Sequence, residues 1–175
     1  MTLLDDQPVH ALVNNAGISP KQENGDRLDT LTTDQSIWAE VLQVNLLAPA
    51  LLTRRLTKSL QKGQGAVVNV TSIAGTRVHR FAGPAYAASK AALSTLTREL
   101  ASDLGSLGIR VNAVSPGEIK TEMLSVATAD EMIHDIPLHR LGDVEEVASA
   151  IYFLCCGSAS YINGAEIEIN GGQHV

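Results

Sequence analysis

The chain has 175 residues, of which 45% are hydrophobic and 18% are charged. This composition excludes an intrinsically disordered chain, because the apolar side chains are numerous enough to fill a core. The formal net charge is −6 and no basic run occurs, which argues against binding to nucleic acid or to an anionic membrane surface. No uninterrupted apolar run approaches the roughly 20 residues of a membrane span, and the first seven residues lack a signal pattern. We therefore expect a cytoplasmic protein without membrane contact.

Cysteine and histidine do not form a metal-binding pattern in the sequence. The two cysteines, Cys155 and Cys156, are adjacent, and the five histidines are scattered. A vicinal pair cannot join distant segments, and no ligand spacing surrounds it. We expect two small buried side chains on one helix and no metal site.

Short apolar runs that favour strands alternate with stretches of helical periodicity. The predicted strands cover residues 9–13, 66–70, 109–114 and 165–169. Helices are predicted from a Thr32–Gln35 capping box to about Leu60, from Pro84 to about Leu104, and from an Asp143–Glu146 capping box through Leu154. No linker or repeat divides the chain. The alternation predicts one α/β domain over residues 1–175, with a doubly wound parallel sheet covered by helices on both faces.

Three predicted strands end in residues that suit ligand contact. They are followed by Asn14-Asn15-Ala16-Gly17, by Thr71-Ser72 and by Ser115-Pro116-Gly117. Ligands of open parallel sheets bind beyond the carboxyl ends of the strands, so these segments are expected at one edge. Ala16 and Gly17 carry little side chain, which lets a flat ligand approach the backbone. Taken singly, each segment is better explained as an ordinary turn.

Tyr86 and Lys90 are four residues apart on a predicted helix and therefore share a face, about 6 Å apart along the axis. A phenol with a pKa of about 10 is a slow proton donor or base at neutral pH. An adjacent ammonium stabilises phenolate, so the pair predicts an acid–base group whose pKa is lowered by Lys90. A tyrosine packed in the core beside a lysine that extends to solvent remains an open alternative.

Ser72 and Asn45 extend this hypothesis. Ser72 ends a strand fourteen positions before Tyr86, so its hydroxyl can orient the carbonyl oxygen that Tyr86 protonates; alone, it is a turn residue. Asn45 lies on the apolar stripe of its helix, where a buried amide needs hydrogen-bond partners. It either satisfies nearby backbone or binds water, and both can hold. The sequence contains no Gly-x-Ser-x-Gly elbow, which argues against a serine hydrolase.

Taken in chain order, these residues resemble the motifs of the short-chain dehydrogenases/reductases. The matching set is Asn14-Asn15-Ala16-Gly17, Asn45, Ser72, Tyr86-x-x-x-Lys90 and Pro116-Gly117-x-Ile119-x-Thr121. The segment Pro137-Leu138-x-Arg140-Leu141-Gly142, together with Asn170-Gly171-Gly172, resembles the 3-oxoacyl-carrier-protein reductase branch. The resemblance covers nearly the whole chain from Val9.

The resemblance implies a Rossmann-like, NAD- or NADP-dependent oxidoreductase that interconverts a small-molecule carbonyl and a secondary alcohol. Tyr86 would be the general acid in reduction and the base in oxidation. Lys90 would lower its pKa and hold the nicotinamide ribose, Ser72 would orient the carbonyl, and Asn45 would hold a water of the proton relay. The remaining cofactor-binding residues would be Asn14, Ala16 and Gly17 on the adenosine side and Pro116, Gly117, Ile119 and Thr121 at the nicotinamide end.

The resemblance also implies a substrate lid and an assembly. The lid would be the region from Lys120 to about Ile136. A homodimer or homotetramer would form through the helices that hold Asn45 and Tyr86 and through the carboxyl-terminal strand.

One motif of the family is absent from the sequence. The Gly-x-x-x-Gly-x-Gly turn, which holds the cofactor pyrophosphate at a helix amino terminus, does not occur. The first strand matches the family's fourth, so we expect an N-terminally truncated sheet that lacks the first three strand–helix units. The residue that distinguishes NAD from NADP would belong to those units. The alternative function is therefore a non-catalytic remnant or oligomerisation module that does not bind the dinucleotide alone.

Overall fold

The computed structural model describes residues 7–120 and 132–175, and its centre is a four-stranded parallel sheet. The strands are β1 (Ala11–Asn14), β2 (Ala66–Val70), β3 (Arg110–Pro116) and β4 (Glu166–Ile169). Their spatial order is their chain order, β1-β2-β3-β4. Every neighbouring pair is parallel, which confirms the predicted parallel α/β fold. The carboxyl ends of all four strands therefore lie along one edge of the sheet.

Four α-helices whose bounds lie within residues 7–120 and 132–175 pack around the sheet. They are α1 (Gln35–Leu42), α2 (Ala48–Gly63), α3 (Pro84–Gly105) and α4 (Val144–Cys155). A π-helical segment, Gln43–Leu47, joins α1 to α2, and 3-10 turns occupy Ile73–Gly75 and Gly157–Ala159. The first predicted helix thus exists as one continuous helical stretch with an irregular centre.

Two apolar cores, one on each face of the sheet, hold the helices in place. On one face, Val67 of β2 packs with Leu60 of α2 and Ala101 of α3. On the other face, the next residue of the strand, Val68, packs with Leu154 of α4. Consecutive strand residues point to opposite faces, so the unbroken apolar run of β2 follows from helices on both sides.

The predicted start of α1 is wrong by two residues. The N-cap is Asp34, whose side chain accepts a hydrogen bond from the backbone N–H of Ile37 at 3.0 Å. Thr32 instead bonds to the loop residue Asp29, because its N–H donates to Asp29 Oδ1 at 2.8 Å. The capping box at Asp143 and Glu146 is confirmed, with the Asp143 N–H donating to Glu146 at 2.9 Å.

The vicinal cysteines are less buried than the sequence suggests. Cys155 ends α4 and Cys156 is its C-cap residue, and both side chains are only partly buried. Burial raises the pKa of Cys155. Residues 7–120 and 132–175 contain no group of three or more potential metal-ligating side chains.

The helical stretch Gln35–Gly63 is long and apolar enough, by length and composition, to cross a membrane. The stretch includes two helices and the π segment, so no single apolar run in the sequence reveals it. It packs against α3 and the first two strands. It buries Val41, Asn45 and Leu60 completely. This packing identifies the stretch as a helical layer of the domain, and the expected lack of membrane contact stays a prediction.

Candidate active site

Ser72 and Tyr86 lie at the carboxyl edge of the sheet, at the two ends of one loop. Ser72 follows β2 and caps the 3-10 turn, where its Oγ accepts a hydrogen bond from the Ala74 N–H at 3.2 Å. Tyr86 lies in the first turn of α3, which begins at Pro84. The Ser72 side chain acts on the phenol of Tyr86 and lowers its pKa, which indicates that the two hydroxyl groups lie near each other. The structure thus brings together a phenol and a hydroxyl that are fourteen positions apart.

Opposing effects act on the phenol of Tyr86. Burial raises the pKa of Tyr86, the Ser72 side chain lowers it, and the nearby Glu118 carboxylate raises it. The net pKa lies above the ordinary value of 10.0. This direction is opposite to the one predicted from the Tyr86–Lys90 spacing, because burial dominates and Lys90 is not among the causes. Tyr86 is consequently a protonated phenol at neutral pH, ready to donate.

Lys90 is a buried cation beside the same ring. Its side chain is 4% exposed, and its Nζ lies 5.6 Å from the centre of the Tyr86 ring. Nζ donates a hydrogen bond to the carbonyl oxygen of Val70 at 2.7 Å. Burial lowers the pKa of Lys90 to about 8. Lys90 therefore does not extend to solvent, so that alternative for the pair is wrong.

Two of the three Lys90 N–H groups have no partner within residues 7–120 and 132–175. A buried ammonium with unused donors fits a polyhydroxylated ligand such as a ribose. The two unused N–H groups of Lys90 therefore match the hydroxyl groups of a ribose, such as the one at the nicotinamide end of a dinucleotide.

Asn45 fixes the segment that follows β1. It is fully buried within the π-helical segment. Its amide donates to the carbonyl oxygen of Ile18 at 2.9 Å, and its Oδ1 accepts from the Ile18 N–H at 2.8 Å. The amide also donates to Ser89 Oγ at 3.0 Å. Both amide hydrogens are therefore bonded to protein groups. This supports the interpretation that Asn45 provides hydrogen-bond partners for nearby backbone.

Gly17 lies directly against the buried polar groups. A Cβ at Gly17 would stand 3.3 Å from Lys90 Nζ and 3.4 Å from Asn45 Oδ1. A side chain at this position would therefore press on both groups. Ala16 and Gly17 are themselves exposed, so a ligand can reach the backbone at the end of β1.

Asn14 is part of the sheet rather than a free polar group. It is 7% exposed, and its amide donates to Asn69 Oδ1 of β2 at 2.8 Å. The Asn69 amide in turn donates to Thr97 Oγ1 of α3 at 2.9 Å. This buried chain ties β1, β2 and α3 together close to the carboxyl edge.

The segment after β3 carries the remaining predicted cofactor residues. Pro116 ends β3, and the Gly117 N–H donates to the carbonyl oxygen of Ile169 at 3.0 Å. A Cβ at Gly117 would stand 2.6 Å from the Asn170 Cβ, so only glycine fits there. Ile119 forms an isolated bridge with Gly142. Thr121 lies outside the described residues, as does most of the predicted lid.

Sequence reasoning missed two contributions. Ser89, fully buried, donates from Oγ to the backbone carbonyl of Tyr86 at 2.7 Å, and so connects Asn45 to the helix turn that holds the phenol. Its position three residues after Tyr86 is a signal that the sequence contains. Glu118 and His79, separated by 39 residues, meet with Oε1 2.5 Å from Nε2, and no local pattern indicates that pair.

Comparison with known proteins identifies a matching family model and several relatives of the chain. Residues 5–174 match the family model described as "Enoyl-(Acyl carrier protein) reductase". Protein FixR of Bradyrhizobium diazoefficiens is 57% identical over 168 residues, which are 96% of this chain and 60% of FixR. The chain spans less than two thirds of the length of the first curated relatives that it matches.

Two solved structures share both sequence and fold with the chain. An oxidoreductase of the short chain dehydrogenase/reductase family from Brucella ovis, in complex with a partially ordered NAD, is 54% identical with a TM-score of 0.77. The alignment covers 93% of this chain and 66% of that one. A 3-oxoacyl-[acyl-carrier protein] reductase with bound NAD from Brucella melitensis is 35% identical with a TM-score of 0.87, over 95% of this chain and 62% of that one.

Proposed function

The chain belongs to the short-chain dehydrogenase/reductase family, and from that premise we propose that its residues perform the proton chemistry of a carbonyl–alcohol interconversion. The observation that carries the proposal is the buried Lys90, whose Nζ lies 5.6 Å from the centre of the Tyr86 ring, with the Ser72 side chain near the same phenol. A phenol near a hydroxyl, with a cation next to its ring, is an arrangement that can donate a proton to a carbonyl oxygen and take it back.

Reduction of a carbonyl adds a hydride to carbon and a proton to oxygen. Tyr86 donates that proton from its phenol, whose raised pKa keeps it protonated at neutral pH. Ser72 donates a hydrogen bond to the same oxygen and orients it. Lys90, whose Nζ lies 5.6 Å from the centre of the ring, is proposed to hold the cofactor ribose beside the phenol and not to set the pKa of Tyr86. In oxidation, Tyr86 accepts the proton of the alcohol and the roles reverse.

The cofactor proposed for this chain is a nicotinamide dinucleotide, NAD or NADP, which supplies the hydride in reduction and accepts it in oxidation. Lys90 would hold the ribose hydroxyls with its unused N–H groups. Ala16 and Gly17 would line the adenosine side, with Asn14 fixing their strand end. Pro116, Gly117, Ile119 and Thr121 are proposed for the nicotinamide end. Relatives with bound NAD support this choice of cofactor class.

Asn45 is proposed as a positioning residue that also completes the proton relay. Its Oδ1 accepts one hydrogen bond, from Ile18, and an amide oxygen has a second lone pair. A relay water would therefore be held at Oδ1 and not at the amide nitrogen.

A homo-oligomer is proposed for the assembly. Leu47, Leu51 and Leu52 are 46%, 53% and 43% exposed on the outer side of the π segment and α2. These three side chains form an apolar face that a second copy of the chain can cover.

Purified protein titrated with NADH and with NADPH, followed by fluorescence, tests the cofactor. Acetoacetyl thioesters, simple sugars and secondary alcohols then test turnover. Absence of binding to both dinucleotides at millimolar concentration would support the alternative function, a non-catalytic module.

Replacing Tyr86 with phenylalanine tests the proton donor. Tyr86→Phe removes the phenolic hydroxyl, so turnover is expected to fall roughly 10²- to 10⁴-fold while dinucleotide binding is retained. Tyr161→Phe is the matched control, because Tyr161 is fully exposed. An unchanged rate in Tyr86→Phe would remove Tyr86 from the mechanism.

A further inference from the structure

Glu166 is the first residue of β4, and its partly buried carboxylate contacts hydroxyl groups on two other elements. Thr71 Oγ1, directly after β2, lies 2.5 Å from Glu166 Oε1. Ser94 Oγ, on α3, donates a hydrogen bond to Glu166 Oε2. Thr71 and Ser94 precede Glu166 by 95 and 72 residues. The two oxygens of one side chain therefore join the end of β2 to α3.

The hydroxyl hydrogen of Thr71 is available to this carboxylate. Thr71 is 2% exposed, so its hydroxyl depends on partners inside the protein. Its Oγ1 also lies 2.8 Å from the carbonyl oxygen of Val114, but that oxygen already accepts a hydrogen bond from the Thr71 N–H at 2.9 Å. A hydroxyl has one hydrogen, and a hydrogen bond to a charged oxygen is stronger than one to a neutral carbonyl. The Thr71 hydroxyl therefore donates to Glu166.

Both ends of this bridge adjoin residues of the proposed proton chemistry. One end is the residue directly before Ser72. The other end lies on α3, where Tyr86, Lys90 and Ser94 are spaced by four residues, so that each is the neighbour of the next on the helix surface. Glu166 therefore links the strand end that carries one hydroxyl to the helix that carries the phenol.

The end of β2 contacts α3 at two further points. The Lys90 ammonium donates to the carbonyl oxygen of Val70 at 2.7 Å. The 3-10 turn that follows Ser72 lies directly on the helix, since a Cβ at Gly75 would stand 2.8 Å from the backbone nitrogen of Ala91. Closely packed elements transmit displacements to one another. A change in the separation of β2 and α3 would therefore move the Ser72 hydroxyl relative to the phenol.

We propose that Glu166 is a positioning residue, which keeps the Ser72 hydroxyl near the Tyr86 phenol by tying Thr71 to Ser94. Glu166 acts through these two hydroxyl groups and does not touch the reacting atoms. Its charge is not among the causes that shift the pKa of Tyr86, which are burial, Ser72 and Glu118. Loss of Glu166 is therefore expected to act by displacement. This inference rests on the proposed function and adds a residue to that site.

Carbon NMR of the full chain, with an isotopic label at tyrosine Cζ, measures this displacement without turnover. The sequence has three tyrosines, so Tyr86→Phe identifies the Tyr86 signal, which is then titrated in each variant. Ser72 lowers the pKa of Tyr86, so displacement of Ser72 in Glu166→Ala is expected to raise it. Removal of a nearby negative charge would instead lower it. The direction of the shift therefore distinguishes displacement from a change in charge, and circular dichroism at each pH checks the fold.

Matched variants locate the effect on the bridge. Ser94→Ala removes one end of it, introduces the best helix former, and is expected to raise the pKa of Tyr86 as well. Glu166→Gln keeps an acceptor and a donor for the two hydroxyl groups, so the pKa should stay close to that of the parent chain. Glu99→Ala removes an exposed glutamate of α3 and should leave the pKa unchanged. In a Ser72→Ala chain, Glu166→Ala should cause no further rise, because the displaced hydroxyl is already gone.

Steady-state turnover gives a second readout. Glu166→Ala is expected to lower kcat for carbonyl reduction roughly tenfold to hundredfold, because the hydroxyl and the phenol are no longer aligned on the same oxygen. The KM for the dinucleotide should stay near the parent value, because Lys90 keeps its own contact with Val70. Glu166→Gln should retain most of the parent kcat.

The outcomes separate this inference from the proposed function. A folded Glu166→Ala chain in which the pKa of Tyr86 is unchanged or lower overturns the inference. If Glu166→Ala does not fold, Ser94→Ala decides by the same criterion. A rise that disappears in the Ser72→Ala chain supports the inference even if no dinucleotide is oxidised. Turnover that needs Tyr86 but is equal in the parent chain and Glu166→Ala leaves the proposed function standing and refutes the positioning role of Glu166.

Discussion

At the scale of single residues, Tyr86 experiences opposing electrostatic influences. Burial and Glu118 favour its neutral form, while Ser72 favours the phenolate. Ser89 bonds to its backbone and to Asn45, so the phenol is fixed from a direction that does not touch the reacting oxygen. Small changes in the surrounding charge should therefore shift the pKa of Tyr86 without moving its side chain.

Removing the charge of Glu118 should move the pH profile of reduction. Glu118 raises the pKa of Tyr86, so Glu118→Gln lowers it, and the alkaline decline of kcat/KM for carbonyl reduction shifts to lower pH. The amide can still bond to His79. Glu99→Gln, an exposed position on α3, serves as the control with an unshifted profile. A decline at the same or higher pH would contradict the assigned influence of Glu118.

The buried Lys90 should destabilise the fold at neutral pH. Its pKa is lowered from 10.5 to about 8, so between these values the unfolded chain binds a proton that the folded chain has released. Stability contributed by this residue consequently rises with pH across that window and is lowest below it. Lys90→Met removes the charge and is expected to raise the free energy of unfolding at pH 7 by up to about 3 kcal/mol.

Urea unfolding at pH 7 and pH 10 measures this effect. The free energy of unfolding of Lys90→Met should exceed that of the parent chain by less at pH 10 than at pH 7. Lys58→Met, an exposed position on α2, should show no such pH-dependent difference. An equal difference in the free energy of unfolding at both pH values would mean that burial does not lower the pKa of Lys90.

At the scale of elements, local sequence signals predict most helices and strands. The apolar run of β2 and the proline at the start of α3 lead to the bounds observed, and the capping box of α4 is confirmed. The π-helical segment is not predictable in this way. It places Asn45 where the amide bonds to Ile18, 27 residues earlier in the sequence. Helical periodicity is a local pattern and cannot indicate a contact across that sequence separation.

The N-cap of α1 gives an element-scale prediction. Asp34 accepts the hydrogen bond of the Ile37 N–H, so Asp34→Ala should lower the free energy of unfolding by about 1 kcal/mol. Gln35→Ala should change it little, because Gln35 is exposed in the first helical turn. Urea unfolding of both variants measures this. A larger loss for Gln35→Ala would instead favour the capping box read from Thr32.

At the scale of the whole molecule, the sequence predicts the fold class but not the electrostatics around the proposed site residues, whose roles stay predictions. The shared edge for Ser72, Tyr86 and Gly17 follows from parallel strands and needs no coordinates. The direction of the pKa change at Tyr86 depends on the depth of burial and on Glu118. Neither is encoded by spacing, since Glu118 reaches His79 through the packing of separate loops.

The apolar face of α2 leads to a prediction for the assembly. Leu47→Glu with Leu51→Glu places two charges on the face proposed to contact a second copy, so sedimentation should show a lower mass than for the parent chain. Circular dichroism checks that the variant is folded. Arg54→Glu with Lys58→Glu, two exposed positions of the same helix, is the charge control and should keep the parent mass. A parent chain that sediments as a monomer would refute the proposed contact.

The strand order has a consequence for how the chain reaches its native state. Because β1, β2, β3 and β4 are neighbours in the order in which they are synthesised, each strand can join an edge that earlier residues have already formed. No strand has to insert between two others. Folding of this part of the chain can therefore proceed strand by strand during translation, because β3 can pair with β2 as soon as residue 116 has left the ribosome, before β4 is available.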